Sequence, residues 1–407
     1  MENASTNITN NRDKFGFVLT LLFIIIEFGR PMDMIPLLRT LHLGMILDIL
    51  LVLSWLIRGN IAQVKSRQTT FTFLFILLLA TYIVFARNNY RAYRETKTVL
   101  LYMPFFISVI IYINSFERLK KFFNVWIILM VYLSVKGLLG KGIAGSNFLN
   151  DENDFSLLMD LMLPFGIFLF LFEKQIKRKI LLLVGSILVI GSIVVSFSRG
   201  GFVGLLFVFM VAWLFSPKKI ASLMIVGILV GALYFLGSHT YWNEMRTISD
   251  PEESTTKQRI EQWTSAWHMF LDKPLGVGGE NYPVWYPDYQ NPDIKRSMWG
   301  REAHSLWFTL LPELGIFGVI IYFSLIYYNL RDIFSIIKLK YRTDENLRYA
   351  YYLSLALLAS LAGFFSAGSF ISVLYYPHFF YLTAMTVAIK KIVDRSIVDK
   401  ERLTRHG

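Results

Sequence analysis

The chain alternates long apolar runs with short polar connections from near its beginning to near its end. Each run approaches the roughly 20 residues that an α-helix needs to cross the hydrocarbon core of a bilayer. We therefore predict an all-α polytopic membrane protein with about twelve transmembrane helices. The predicted spans are residues 15–28, 41–57, 71–85, 99–113, 122–135, 157–172, 180–195, 202–215, 220–236, 306–327, 351–365 and 370–389.

The composition supports a single integral membrane domain over residues 1–407. Of these residues, 55% are hydrophobic and only 17% are charged, so a water-soluble fold would lack the polar surface to cover itself. The absence of cysteine excludes disulfides, thiolate zinc sites and a cysteine nucleophile. Arg12 and Lys14 precede the first apolar run, but no small-residue cleavage site follows it, so we expect a retained span.

Basic residues mark alternate connections and set the expected orientation, because short connections rich in Lys and Arg stay in the cytoplasm. This rule assigns both termini to the cytoplasm and the hydrophilic loop 237–303 to the outer face. The net charge of +12 is scattered over the connections, which favours topology signals over a nucleic-acid interface. The predicted cytoplasmic connections contain Arg58, Lys65 and Arg67; Arg118, Lys120 and Lys121; Lys174, Lys177, Arg178 and Lys179; Lys218 and Lys219; and Arg331, Lys338, Lys340 and Arg342.

One basic connection, with Arg87, Arg91, Arg94 and Lys97, falls on the outer side in this scheme. Three explanations are open: a local error in the topology, attraction of an anionic substrate, or incidental charge. Under the second explanation, Arg91 and Arg94 are candidate ligands of a diphosphate.

The outer loop has the pattern of a folded segment. Residues 257–270 place Ile260, Trp263, Ala266 and Trp267 at helical spacing, which predicts a short amphipathic helix lying on the membrane. Aromatic residues then concentrate downstream. These aromatics favour an interfacial belt, with stacking on sugar rings as the alternative, and they are Tyr282, Trp285, Tyr286, Tyr289 and Trp299.

Two features of the predicted outer side suit an anion. Arg199 stands beside Gly200 and Gly201, where a guanidinium and closely approachable backbone favour phosphate binding, although an arginine at a helix end also fits. Arg259 precedes the glycine-rich segment 274–279, which fits either an anion-binding nest or an ordinary turn.

A third feature suits proton transfer. His304 stands at the junction of the outer loop and an apolar helix, where an imidazole can accept a proton near neutral pH. A structural role for this histidine is the alternative. The helix that follows contains Glu313, Leu314 and Gly315.

In their order and spacing, these motifs resemble the O-antigen ligase and O-antigen polymerase superfamily. They are Arg-Gly-Gly at 199–201, Arg-x3-Trp at 259–263, Pro-Leu-Gly-x-Gly at 274–278, Ala-His-Ser at 303–305 and Glu-x-Gly at 313–315. Asn-Asp-Phe at 153–155, before Leu-Pro at 163–164, is also similar to the family. The resemblance covers about residues 150–327, and the family commonly has Asn where this chain has Ser305.

The resemblance implies a GT-C-like helical fold in the bacterial cytoplasmic membrane, with short helices in one large outer loop. It also implies a polyprenyl (undecaprenyl) diphosphate-linked glycan donor, a glycan or lipid-linked acceptor, and neither a cofactor nor an obligatory metal. Carried over by position, Arg199 and Arg259 would hold the diphosphate, and His304 would be the acid/base residue of an inverting transfer. Candidates for contact with the glycan or acceptor are Trp263, Trp285, Tyr286 and Glu313.

The sequence leaves several hypotheses open about the acceptor, the class of protein and a metal site. The acceptor can be a growing chain, a lipid-linked core or a protein, corresponding to a polymerase, a ligase or a protein O-oligosaccharyltransferase. A transporter or flippase of lipid-linked sugars is the rival class, with thin support from the intramembrane residues Asp48 and Asp160. Asp151, Glu152 and Asp154 keep a metal site open.

The predicted topology can be read directly, because the chain contains no cysteine. A single cysteine introduced by Ser254→Cys should react with an impermeant maleimide in intact cells, since loop 237–303 is expected outside. Labelling that appears only after the cytoplasmic side is opened would contradict the topology.

Overall fold

The computed structural model describes residues 2–58, 62–146, 149–216, 219–220, 227, 254–293, 300–339 and 344–406. Regular structure in these ranges is helical, without strands. The α-helices are α1 (Glu2–Gly29), α2 (Pro31–Met34), α3 (Leu43–Arg58), α4 (Arg67–Phe85), α5 (Asn89–Leu101), α6 (Met103–Tyr112), α7 (Phe116–Leu139), α8 (Glu152–Phe172), α9 (Ile176–Val195), α10 (Arg199–Phe215), α11 (Ser254–Asp272), α12 (Tyr282–Tyr289), α13 (Leu306–Ile337), α14 (Glu345–Gly368) and α15 (Pro377–His406).

The long apolar helices fit a membrane-embedded fold. Within the described ranges, seven segments are long and apolar enough to cross a bilayer: α4, Asn89–Tyr112, α7, α8, α9, α13 and α14. The predicted total of about twelve spans stays a prediction, because the span predicted at 220–236 lies almost wholly outside the described residues. The span predicted at 370–389 begins later than expected, since α15 starts at Pro377. Proline favours the first turn of a helix, and residues 370–376 form a connection instead.

Side-chain caps explain where many of these helices begin. A Ser, Asn or Asp immediately before the helix accepts a hydrogen bond from a backbone N–H of the first turn, which would otherwise lack a partner. The capping residues are Ser66, Asn88, Ser115, Asp151, Ser198, Ser305 and Asp344.

Helix α8 forms the centre of the core, where it packs against α9, α10 and α14. Glycines allow the close approach: a Cβ added at Gly204 of α10 would lie 2.1 Å from the Asp160 carboxylate, and one at Gly363 of α14 would lie 3.5 Å from the Asp160 Cβ. Small residues at helix contacts are typical of membrane bundles. Asp160 is fully buried, and neither carboxylate oxygen has a hydrogen-bond partner in the described part of the chain.

The connections after α1, α4 and α7 meet at one end of the bundle, together with residues 254–293 and 300–305. The Arg30 side chain donates to Ser146 Oγ over 2.7 Å, and the Asn88 backbone N–H donates to Asn281 Oδ1 over 2.8 Å. We call this the loop end. It corresponds to the side that the sequence predicts to be outside.

Basic residues of the described connections lie at the opposite end. Lys120 contacts Asn346 over 3.0 Å, and Lys391 donates to the backbone carbonyl of Gln63. This arrangement fits the predicted orientation, which itself stays a prediction.

The basic segment that the sequence predicts to be a connection lies at the loop end, but it is helical from Asn89 onward, where α5 begins. Arg91 and Arg94 each contact Glu280 over 3.3 Å, and Arg87 pairs with Asp288. Ion pairing with acids of the outer loop therefore gives these charges a structural reason that the sequence pattern did not show.

A break in α13 receives the glycine-rich segment of the loop. Gly315 has φ 58° and ψ −160°, which frees the backbone around it from helical hydrogen bonding. Val277 N–H donates to the Pro312 carbonyl over 2.9 Å, and Gly278 N–H donates to the Glu313 carbonyl over 2.8 Å. The segment 274–279 is thus docked onto α13 and is used here as a structural turn.

Replacing Gly276 should weaken this docking. Gly276 has φ +99°, and an added Cβ would lie 2.7 Å from the Glu313 carbonyl oxygen, so Gly276→Ala should cost about 1–3 kcal/mol and lower the melting temperature. The matched control is Gly44→Ala near the start of α3, where an added Cβ meets nothing within 4 Å. Equal melting temperatures for the two variants would show that the docking does not stabilise the fold.

Candidate functional site

Helix α11 holds one wall of the candidate site. The helix predicted at 257–270 is confirmed and spans Ser254–Asp272. Its Trp263 donates from Nε1 to the Ala303 carbonyl over 2.9 Å and stacks on Phe308 with ring centroids 5.1 Å apart. These contacts fix α11 against the residues on either side of His304.

A cavity of about 320 Å³ lies between α11, the start of α8 and the connection after α14. Arg259, His304 and Phe370 all line it. The full lining is Asp151, Asn153, Asp154, Gln258, Arg259, Gln262, Arg301, Glu302, His304, Phe370, Ile371, Ser372 and Tyr376. We call it the histidine cavity.

A second cavity of about 220 Å³ adjoins the first, because Arg259 and Phe370 line both. It contains Arg199 from the first turn of α10 and is otherwise mostly apolar. Its lining is Arg199, Val203, Thr256, Arg259, Ile260, Trp263 and Phe370. We call it the arginine cavity. The fold thus brings Arg199, Arg259 and His304, which are far apart in sequence, to two neighbouring cavities.

The turn before α10 is built from short polar side chains. Ser198 Oγ accepts from Gly201 N–H over 3.0 Å and donates to Asn153 Oδ1 over 2.8 Å. A Cβ at Gly201 would lie 2.4 Å from Ser156 Oγ, so glycine is required for the approach of α10 to α8. These contacts fix the start of α10, where Arg199 directly follows Ser198.

His304 has an unusual backbone and a depressed pKa. Its φ of 47° lies in the left-handed region, which is uncommon for a non-glycine residue and is concentrated at functional sites. Although the residue as a whole is exposed, partial burial of the imidazole lowers its pKa. The positive charges of Arg259 and Arg301 lower this pKa further, while Asp151 opposes the shift. A neutral imidazole, able to accept a proton, is therefore favoured near pH 7.

Ser305 stands where the family commonly has Asn, and its position in the structure suits either residue. Its hydroxyl accepts the backbone N–H of Phe308 and caps α13, a role for which Ser and Asn are both favoured. Ser305 therefore fixes the start of α13 directly after His304.

Carboxylates form another wall of the histidine cavity. Tyr376 donates to Asp154 over 2.6 Å, and Asp151 accepts from the backbone N–H groups of Asn153 and Asp154 at the start of α8. Burial raises the pKa of the Tyr376 phenol, and the nearby charges of Asp154 and Glu302 raise it further. Sequence reasoning missed Tyr376, Glu302, Arg301 and Gln262, because residues 370–376 read as part of an apolar span and the others stood in no motif.

The aromatic residues predicted to contact the glycan or acceptor lie at different places in the structure. Trp263 lines the arginine cavity. Trp285 lies between two cations instead, with Arg87 at 4.8 Å and Lys273 at 4.4 Å from its ring. Tyr286 is buried in a small loop cluster. Trp285 and Tyr286 line neither cavity.

Glu313 is likewise buried away from both cavities. Its carboxylate accepts the backbone N–H groups of Glu280 and Tyr282 over 2.9 and 3.1 Å and the hydroxyl of Tyr375. These bonds give Glu313 a positioning role in the loop and disfavour direct contact with a glycan.

Arg91 and Arg94, the other diphosphate candidates, contact Glu280 and line neither cavity. Their binding to a diphosphate stays a prediction. In the described ranges, no group of three His, Asp or Glu side chains is arranged to hold a metal ion.

A family model described as O-Antigen ligase matches residues 184–323 of this chain. The match includes Arg199, Arg259 and His304 and confirms, over this segment, the resemblance to the O-antigen ligase and polymerase superfamily. Together with the seven apolar helices, it indicates an integral membrane protein with a role in polysaccharide assembly. No curated protein matches the chain.

The electrostatics of the site predict the titration of His304. In an NMR titration of histidine-labelled protein, the pKa of His304 should lie below the ordinary value of about 6.5, and Arg259→Gln should raise it by removing one positive charge. Lys257→Gln, on the same helix but outside both cavities, should leave it unchanged. If His304 kept its wild-type pKa in the Arg259→Gln variant, the charge of Arg259 would not act on the imidazole.

Proposed function

We propose that the protein is a membrane glycosyltransferase that moves a glycan from a polyprenyl diphosphate to an acceptor hydroxyl, as a polymerase or ligase of surface polysaccharide. The observation that carries the proposal is the boundary shared by the two cavities. Arg259 and Phe370 line both, with Arg199 on one side and His304 on the other. Two guanidinium groups and one imidazole therefore face neighbouring volumes.

The arginine cavity suits the donor. Guanidinium groups bind phosphate oxygens through two parallel hydrogen bonds, and Arg199 and Arg259 can each offer such a fork. Val203, Ile260 and Phe370 supply apolar surface beside them. A diphosphate attached to a prenyl chain needs this combination of cationic and apolar contacts.

The histidine cavity suits the acceptor hydroxyl. The acceptor oxygen forms a bond to the anomeric carbon of the donor sugar while the bond between that carbon and the phosphate oxygen breaks. His304 takes the proton of the hydroxyl, and the electron pair leaves with the polyprenyl diphosphate. Arg199 and Arg259 stabilise the charge that grows on this leaving group. A single displacement of this kind inverts the anomeric centre, and the arginines supply charge stabilisation without a divalent cation.

The glycans of a deletion strain test the function in cells. Loss of a polymerase leaves products with a single repeat, whereas loss of a ligase leaves full-length glycan that is not attached to its acceptor. Unchanged glycan structures with a block in transfer across the membrane would instead indicate a transporter and overturn the proposal.

Arg199→Lys and Arg259→Lys should each impair transfer by about ten- to a hundredfold, because an ammonium group keeps the charge but loses the two-point contact with phosphate. The assay is transfer from a purified lipid-linked glycan by full-length protein. Arg87→Lys is the matched control, since Arg87 pairs with Asp288 outside both cavities and should keep wild-type activity. Full activity in both test variants would remove the arginines from the donor site.

His304→Ala should reduce transfer by about 10²- to 10⁴-fold and leave donor binding intact, because the loss of a general base affects the chemical step. In the wild type, the rate should fall as the pH drops through the lowered pKa of His304, and this acid limb should vanish in the variant. His268→Ala, an exposed histidine on α11, is the control and should keep both the rate and the limb. Activity that is lost only in proportion to folded protein would point to a structural histidine.

A further inference from the structure

The histidine cavity contains a group of oxygen acceptors that have no role in the proposed glycosyl-transfer step. Asp151 and Glu302 are exposed members of this group, and Asp154 is buried beside them with its carboxylate held by Tyr376. Gln262, from α11, and Ser372 line the same cavity. We call these five residues the acceptor wall.

Two atoms of the acceptor wall lack partners. Gln262 is 3% exposed, and its Oε1, like Ser372 Oγ, is buried without a hydrogen-bond partner in the described ranges. An unpaired buried polar atom costs free energy, so such atoms commonly mark a place where a ligand or water completes the bonding. Since both residues line the cavity, the hydroxyls of a bound molecule are suitable partners for these two atoms.

The chemistry of the wall separates the two substrates. Arg259 and Arg301 also line the histidine cavity, but its three carboxylates outnumber them and disfavour a diphosphate there. The lining of the arginine cavity places Arg199 and Arg259 together without a carboxylate, so the diphosphate belongs in that cavity. The hydroxyl that loses its proton must lie beside His304, in the histidine cavity. The molecule facing Asp151, Asp154 and Glu302 is therefore the acceptor.

Resting on the proposed function, we propose that the acceptor wall binds the sugar that bears the reacting hydroxyl, and that it selects a sugar without a carboxylate or phosphate group. Carboxylate and amide oxygens accept hydrogen bonds from neighbouring sugar hydroxyls. The same carboxylates repel an anionic sugar, such as a uronic acid, at this position. Discrimination by repulsion of the wrong partner is a common basis of specificity.

The wall can be tested kinetically with the full-length protein. Asp154→Asn and Glu302→Gln should each raise the KM for the acceptor by about tenfold, because a charge-assisted hydrogen bond is weakened. The KM for the lipid-linked donor and the acid limb of His304 should change little. Glu152→Gln is the matched control: this exposed acid is next to Asp151 in sequence but lines neither cavity, and the variant should keep the wild-type acceptor KM. Equal effects on donor and acceptor KM, or an unchanged acceptor KM, would overturn the assignment.

The substrate class can be read from the polysaccharide of cells with and without the gene. The linkage that disappears on deletion is the one that this protein forms, and NMR of the wild-type glycan identifies the sugar that supplies its oxygen. We expect a sugar without carboxylate or phosphate, and an acidic sugar at that position would contradict the inference while leaving glycosyl transfer intact. If no linkage disappears, the proposed function itself fails.

Discussion

The candidate site depends on the docking of one loop segment into a broken helix. The break of α13 at Gly315 leaves the carbonyls of Pro312 and Glu313 to accept N–H groups from Val277 and Gly278. The docked segment follows α11 directly, and His304 stands just before α13. This contact therefore sets the distance between the helix that contains Arg259 and the residue proposed as the base. Glu313 reinforces it by holding the backbone of Glu280 and Tyr282.

Charge is divided across the two cavities in a way that suits two different substrates. The arginine cavity is cationic and apolar, whereas the histidine cavity combines Arg259 and Arg301 with three carboxylates, those of Asp151, Asp154 and Glu302. His304 lies where the two influences meet: burial and the arginines favour its neutral form, and Asp151 opposes them. The division supports a donor phosphate on one side, an acceptor sugar on the other, and proton transfer between them.

Much of the fold and part of the site could be predicted from sequence, because they follow from local patterns. Apolar runs predicted the long helices, and the spacing of Ile260, Trp263 and Trp267 predicted α11. Arg199, Arg259 and His304 became candidates because each stands in a short sequence motif.

The remainder of the site depends on contacts that no local pattern encodes. Tyr376 donates a hydrogen bond to Asp154, although 222 positions separate the two residues in the sequence. Residues 370–376 are apolar enough to resemble the start of a span, yet Phe370 and Tyr376 line the cavity wall. The glycines at 276 and 315 were visible in sequence, but their mutual docking was not, since it requires α13 to break. The ion pairs of Arg87 with Asp288 and of Arg91 and Arg94 with Glu280 likewise become visible only once the loop is folded.

The central claim is that Arg199, Arg259 and His304 form one transfer site with its donor in the arginine cavity. The most direct measurement is an experimental structure of the full-length protein with geranylgeranyl diphosphate, a soluble mimic of the donor's phosphate end. The account predicts the diphosphate between Arg199 and Arg259, with the terminal phosphate, which carries the sugar in the true donor, nearest to His304 and the prenyl chain directed away from it. A diphosphate bound at Arg91 and Arg94, or anywhere remote from His304, would contradict it.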